Sequence, residues 1–319
     1  MIRHRLEYIG VRTLTAAVRF MPPVLVDACG SALGMTFYLL DRPHRRVAQR
    51  NVVAAFPTRT VAEHTAIVRG AFRHFGRLLF ELLKFSTLTD EQMLARVEFE
   101  GEERVRSAYA QGRGVLFVTG HFGYWELQAL VHGLKLPPMS VMARALDNPY
   151  LHRLLEQMRT RTGNGVIYRQ GTLRRAMRVL QDGQGVGVLI DQHIQSRDAI
   201  HVDFFNRPAA TTPIVAALAM RTGARIVPLF ALPLPGGRYR MIYEHAIEPP
   251  PASTEDPIHE LTQRCTDVLE MYVRKHPELW LWMHRRWRDE GKDAAPESEG
   301  AMFPASSEED AGVELTSDQ

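Results

Sequence analysis

A chain of 319 residues that is 45% apolar and 24% charged has enough core-forming material for one large folded domain and falls outside the disordered and low-complexity classes. Its formal net charge of +3 hides an asymmetry: residues 289–319 carry ten acids against one lysine, a net −9, which leaves +12 on residues 1–288. Two cysteines, Cys29 and Cys265, make neither a disulfide framework nor a metal cluster, so a reducing compartment suits the chain, and a basic body without a nucleic-acid module points to anionic lipid or phosphorylated small molecules.

Residues 1–43 read as two apolar-rich helices. Arg3, Arg5, Arg12 and Arg19 are interleaved with apolar residues, Pro22-Pro23 follows, and a second apolar run ends at Phe37-Tyr-Leu-Leu40. Arg19, the proline pair and Asp27 interrupt any stretch of about 20 apolar residues, so an ordinary transmembrane span is not expected. A secretory signal also fits poorly, because no small-residue cleavage site follows a compact apolar core. The pattern predicts amphipathic or re-entrant helices lying in a membrane interface with arginines at lipid phosphates; a buried helical hairpin is the alternative.

Residues 44–95 form a helical lead-in to an α/β domain that extends to residue 288. A helix from His44 reaches Phe56-Pro57, and Thr60 is placed to cap a helix through Ala62 to Leu83 whose Phe72, Phe75, Leu78, Leu79, Leu82 and Leu83 make one apolar stripe. Thr89-Asp90-Glu91 starts a short helix, and Val97 to Glu100 reads as an edge strand. Strands are then predicted at 114–119, 139–143, 165–168, 186–190, 225–231 and 239–244, alternating with helices, which argues for an α/β fold with a largely parallel central sheet flanked by helices. Ligands gather beyond the carboxyl ends of such strands, so His121, Arg144, Arg169 and Asp191, each following a strand, are expected to share one edge. Thr212-Pro213 with Gly223 brackets a helix at 214–222, and Asp256-Pro257 opens another that runs to Pro277. Residues 289–319, rich in Glu, Asp, Ser, Ala and Pro, are expected to be a disordered acidic tail.

The most informative stretch is Gly114-Val-Leu-Phe-Val-Thr-Gly-His-Phe-Gly-Tyr-Trp-Glu-Leu127. An apolar strand breaks at Gly120 and Gly123, so His121 sits on a strand-to-helix turn. On one continuous helix His121 and Glu126 would point about 140° apart. With the histidine before the helix, Glu126 is able to reach back to one ring nitrogen, fix the tautomer and leave the other nitrogen to take a proton. A turn histidine with a solvated glutamate fits the spacing as well. Arg159, Arg161 and Arg169 lie near the sheet edge, where guanidinium forks suit phosphate or carboxylate; Arg159 and Arg161 on one helix face different ways, so one is expected at the site and one in solvent. Asp191 ends a buried-looking strand and is expected either to contact substrate or to pair with Arg159 or Arg169. His193 near His121 and Glu126 lacks metal-ligand spacing, so no metal is expected. Arg174, Arg175 and Arg178 read as a solvated helix face or a lipid-headgroup contact. His284-Arg285-Arg286 between two tryptophans suits either a membrane interface or packing of the last helix.

His121-Phe-Gly-Tyr-Trp-Glu126 resembles the His-X4-Asp/Glu signature of glycerolipid acyltransferases, in the form used by the lipid A biosynthesis (lauroyl/myristoyl) acyltransferase family. The resemblance extends over roughly residues 1–288 through Arg144 with Asp147-Asn148-Pro149, Arg159-Thr-Arg161, Val166-Ile-Tyr-Arg169, Gly187-Val-Leu-Ile-Asp191-Gln, Phe204-Phe205 with Ala210-Thr211-Thr212, and Pro277-Glu278 leading to Trp282-Met-His-Arg-Arg-Trp287. Tyr124 stands where Asn is common in that family. The resemblance implies a membrane-attached O-acyltransferase on the cytoplasmic face of a bacterial inner membrane, moving an acyl chain from acyl carrier protein to a hydroxyl of a Kdo-bearing lipid A precursor without a cofactor. It implies His121 and Glu126 as the catalytic pair and Arg144, Asn148, Arg159, Arg161, Arg169 and Asp191 as substrate contacts. The oxyanion is expected to meet backbone N–H groups around Phe122 and Gly123, or an arginine. Other readings are acylation of another glycolipid, such as a phosphatidylinositol mannoside, or of a lysophospholipid from acyl-CoA; a thioesterase-like hydrolase; and a non-catalytic lipid-binding membrane protein.

Overall fold

The computed structural model describes residues 2–168, 171–196 and 198–288; the acidic segment 289–319, expected to be disordered, and Arg169 lie outside them. In chain order the elements are α1 (Ile2–Phe20), α2 (Pro23–Leu40), α3 (Arg42–Ala55), α4 (Val61–Phe85), α5 (Asp90–Leu94), β1 (Val97–Glu100), α6 (Glu102–Tyr109), β2 (Val115–Thr119), α7 (Trp125–His132), β3 (Met139–Met142), α8 (Pro149–Thr160), β4 (Gly165–Ile167) and α9 (Thr172–Gln181). β5 (Gly185–Leu189), β6 (Ile200–Asp203), β7 (Pro208–Thr211), α10 (Ile214–Thr222), β8 (Arg225–Leu234), β9 (Arg238–Tyr243), α11 (Pro257–Lys275) and a single 3-10 turn at Pro277–Leu279 complete it. The helix starts follow their capping chemistry. Thr60 and Thr89 each close a reciprocal box with Glu63 and Gln92, Asp256 accepts from the His259 N–H, and Gly223, at φ 70°, ends α10 in the left-handed region that favours glycine.

Seven strands form one sheet in the order β1-β9-β8-β2-β5-β3-β4, and β6 pairs with β7 in a separate antiparallel ribbon. β2, β5, β3, β4 and β8 run parallel, as their alternation with helices predicts. β9 turns back antiparallel on β8 because only the Pro235-Gly236-Gly237 turn separates them, too short for a crossover. β2 lies mid-sheet and is buried along its whole length, which is why its sequence is continuously apolar rather than alternating. The β6–β7 ribbon and α6 were not foreseen: Ile200–Asp203 alternates apolar and polar residues, but both strands are only four residues long and Pro208–Thr211 does not alternate.

The apolar stripe of α4 packs against α2 at the closest approach glycine permits. A Cβ on Gly34 would lie 2.1 Å from the Phe72 carbonyl oxygen and one on Gly76 would lie 2.2 Å from that of Gly30. Asp27, which interrupts the second apolar run, is paired internally: on α2 it bridges Arg77 of α4 at 2.9 Å, while Lys84 of α4 caps the end of α1 through the carbonyls of Val18, Arg19 and Met21. Much of this hairpin's apolar surface still faces outward, including Ile2, Leu6, Ile9, Phe20, Val24, Leu25, Leu39 and Leu40.

Candidate active site

The carboxyl ends of β2 and β5 build the site. The two strands are parallel neighbours with Thr119 opposite Leu189, and His121 and Asp191 each stand two residues beyond that pair. The shared register therefore brings them together. Asp191 Oδ1 lies 2.8 Å from His121 Nδ1, while Oδ2 accepts from the His121 backbone N–H at 2.7 Å and from Trp280 Nε1–H at 2.8 Å. Burial by itself would raise the pKa of this carboxyl, but the adjoining His121 charge and the three donors outweigh it and hold the group down at about 2. An ionised Asp191 requires a hydrogen on His121 Nδ1, which leaves the lone pair on Nε2. The Gln192 side-chain nitrogen is 3.4 Å from Nε2, and the imidazole is a fifth exposed while the Asp191 side chain is almost wholly buried.

This corrects the expectation that Glu126 orients His121. Glu126, in the first turn of α7, is held by Arg159 of α8 through a two-pronged contact, Nε–Oε2 at 3.1 Å and Nη2–Oε1 at 2.6 Å. It cannot fix the tautomer because Asp191 occupies Nδ1. Asp191 in turn pairs with the histidine and, among the described residues, with no arginine. Trp125 lies between the two pairs in sequence and stacks edge-on to His121 with centroids 5.2 Å apart.

The turn itself is clamped. Leu281 N–H donates to the His121 carbonyl and Gly123 N–H to that of Leu279, so residues 279–281 lie antiparallel to the turn. Phe122 N–H bonds Gly120 and Tyr124 N–H bonds Ala231. Gly123 takes φ 57°, and a Cβ there would meet the Ala231 oxygen at 2.1 Å. With every N–H from His121 to Tyr124 engaged inside the protein, the expectation that this turn supplies the oxyanion donors is also corrected. His74 of α4 holds the far side of the turn, its Nε2 3.1 Å from the Gly123 carbonyl; burial takes its pKa down to about 4, so the ring is neutral and donates.

A family model described as bacterial lipid A biosynthesis acyltransferase matches residues 1–289. The chain belongs to that family. Among curated relatives it is 28% identical to the lipid A biosynthesis lauroyltransferase of Escherichia coli (strain K12) over 90% of this chain and 92% of that one. It is 25% identical to the lipid A biosynthesis myristoyltransferase of the same organism, over 86% and 84%, and 25% identical to its palmitoleoyltransferase, over 90% and 92%. Among solved structures, a 1-acyl-sn-glycerophosphate (LPA) acyltransferase, PlsC, from Thermotoga maritima covers 80% of this chain and 97% of its own at 15% identity with a TM-score of 0.37, a likeness too loose to build on. The protein is an acyltransferase of lipid A biosynthesis.

Within the acyltransferase the remaining expected residues divide. Arg144 follows β3 at the same sheet edge, half exposed and 3.5 Å from Asp147. Asn148 is given a structural task instead of a substrate contact: its Oδ1 caps α8 through Tyr150 and Leu151, and its Nδ2 ties that helix to His4 and Glu7 of α1. Arg161 points away from Arg159, as helical spacing predicts, but it anchors the loop carbonyls of Ser86 and Leu88 and pairs with Asp90 rather than standing free in solvent. The membrane-interface reading of the last segment is overturned. Trp282 and Arg286 are fully buried, with Arg286 donating to the carbonyls of Gln192 and Ala210, and the segment is a 3-10 turn and loop, not a helix. Trp280 was missed, and His284 was expected only at an interface or in packing. His284 Nε2 accepts from the His193 N–H, and burial drives its pKa down to about 3. Among the described residues no group of three or more His, Cys, Asp or Glu converges as metal ligands would.

Proposed function

We propose that the acyltransferase moves a fatty acyl chain from an acyl carrier protein thioester to a hydroxyl of a Kdo-bearing lipid A precursor, with His121 as general base oriented by Asp191. The observation that carries this reading is the buried carboxylate on His121 Nδ1, which leaves Nε2 basic and solvent-facing. Nε2 takes the proton of the acceptor hydroxyl as its oxygen attacks the thioester carbonyl; Asp191 stabilises the imidazolium that forms. When the tetrahedral species collapses, the C–S bond breaks, the ester C–O bond remains, and His121 returns the proton to the departing thiolate. No acyl-enzyme and no cofactor is needed. Since the turn's own N–H groups are engaged, we assign the oxyanion to an arginine, Arg159, which Glu126 holds at the start of the helix that follows the histidine.

We further propose that α1 and α2 attach the protein to the cytoplasmic face of the inner membrane. α2 is long and apolar enough to cross a bilayer and little of it is buried, but its Asp27 is tied to Arg77, which favours an interfacial position. The test is mass spectrometry of product from purified protein given acyl carrier protein thioester and tetra-acylated, Kdo-bearing lipid A precursor. A gain of one acyl chain, abolished by His121→Ala and Asp191→Asn, supports the reading. Release of free fatty acid without acylated lipid would replace it with hydrolysis.

A further inference from the structure

Between residues 42 and 80 the chain has eight arginines, no lysine and one acid, Glu63. The only ion pairs made by residues 41–80, among the described residues, are Asp41–His44 and Asp27–Arg77. Arg42, Arg46 and Arg50 recur every four residues along the outer side of α3, all exposed, and Arg69 and Arg73 repeat the spacing on α4. The Tyr38 ring joins the two rows, with Arg45 of α3 and Arg69 of α4 lying 5.2 and 5.5 Å from its centroid. The inner side of α3, from Val47 to Ala55, is buried in the protein, so the outer face is mainly arginine and glutamine. Val53 is its one large exposed apolar residue, too little for the apolar wedge by which an interfacial helix inserts into lipid.

Beside this face a small apolar cleft of about 30 Å³ opens between α2 and α4, lined by Leu33, Phe37, Phe72, Phe75 and Met283, with Asp41 and His44 at its rim. Ring contacts connect its wall to the reaction centre. Phe75 packs on Trp125 at 5.6 Å and Trp125 on His121 at 5.2 Å, while Met283 lies two residues beyond Leu281, whose N–H holds the His121 carbonyl.

We propose that the arginine face of α3 and α4 is the docking surface for the acidic protein that carries the thioester donor. Unpaired guanidinium groups in rows match carboxylates along a helix of such a partner and accelerate its capture. The inference rests on the proposed function for the identity of the donor, but docking is measurable without turnover.

The experiment compares the wild type with Arg46→Glu/Arg50→Glu and with a control of equal charge change, Arg106→Glu/Arg221→Glu, on exposed positions elsewhere. Binding of acyl-loaded carrier protein is followed by biolayer interferometry, and KM is measured for the carrier-bound donor and for the same acyl chain on free pantetheine. The α3 variant is expected to weaken carrier binding and raise its KM at least tenfold, with the pantetheine donor and the control unchanged, and wild-type binding is expected to fall with added salt. Carrier binding and KM left intact in the α3 variant overturn the proposal, as does wild type that binds no carrier. Loss of binding to phosphatidylglycerol vesicles with carrier KM intact assigns the face to lipid and also overturns it. If the wild type binds carrier but acylates no lipid, and the α3 variant does not bind, the docking surface stands while the acceptor assignment fails.

Discussion

Replacing Asp191 by asparagine separates the two carboxylates near His121 by role. The Oδ2 position receives two N–H donors, from the His121 backbone and Trp280, whereas Oδ1 receives one, from Nδ1. An asparagine keeps most hydrogen bonds by placing its oxygen at Oδ2, so its NH2 group faces Nδ1. Nδ1 then has to accept, the ring hydrogen moves to Nε2, and the base is lost where the acceptor hydroxyl must be deprotonated. A carboxylate-to-amide change of this kind in a His–Asp pair lowers kcat about 10⁴-fold, or about 5.5 kcal/mol of transition-state stabilisation at about 1.4 kcal/mol per decade. Glu126→Gln leaves Nδ1 on Asp191 and the tautomer intact; it removes the charge that fixes Arg159, and about 10- to 100-fold is expected by loss of one positioned charge-assisted contact. The assay is single-turnover acyl transfer read by mass spectrometry, combined with two-dimensional ¹⁵N spectra of the His121 ring to report its tautomer. A tautomer unchanged in Asp191→Asn, or flipped in Glu126→Gln, would refute this reasoning, as would full activity in Asp191→Asn.

Acid should destabilise the protein earlier than its carboxylates alone would. Burial lowers His74 and His132 from 6.5 to about 4 and His284 to about 3, so below about pH 6.5 the unfolded chain binds up to three protons that the folded chain refuses, and stability falls as pH drops from 6.5 through 4. The limiting slope is about 4 kcal/mol per pH unit for three sites, to be read from urea midpoints at pH 7, 6 and 5; a flat profile there would remove the case for neutral buried imidazoles. His74→Phe should lower kcat by about fivefold with donor KM little changed, since a neutral hydrogen bond of about 1 kcal/mol steadies the turn and not the substrate, and His74→Gln should recover part of it; equal KM effects would argue for a binding role. Gly34→Ala should destabilise the protein by about 1–3 kcal/mol through overpacking against the Phe72 backbone, seen as a lower melting temperature and faster amide exchange in α2, whereas Gly10→Ala, exposed in α1 with open space around it, should not destabilise the protein and should favour its helix by about 0.5–1 kcal/mol.

The parts of the fold that repeat were readable in the residues: the α4 stripe, the threonine and aspartate caps, the glycine that ends α10, and the buried parallel strands that carry His121 and Asp191 to one edge. Each is a local rule acting over a few neighbours. Arg159 and Arg161 likewise had to diverge, because two residues apart on a helix is about 200° of rotation. What local rules do not contain is the order of strands in the sheet. Once β2 and β5 are known to be adjacent with Thr119 opposite Leu189, the His121–Asp191 pair follows, but nothing in either strand names its neighbour, and the five-residue spacing to Glu126 offered a nearer partner. The same holds for Trp280, for His74, and for the engaged N–H groups of His121, Gly123 and Tyr124, all of which depend on segments far apart in the chain. Sequence therefore determined which side chains stand at the sheet edge, through periodicity and capping. Only tertiary structure decided which of them touch, because a hydrogen bond is set by a few tenths of an ångström between strands and helices whose pairing depends on packing of the whole core.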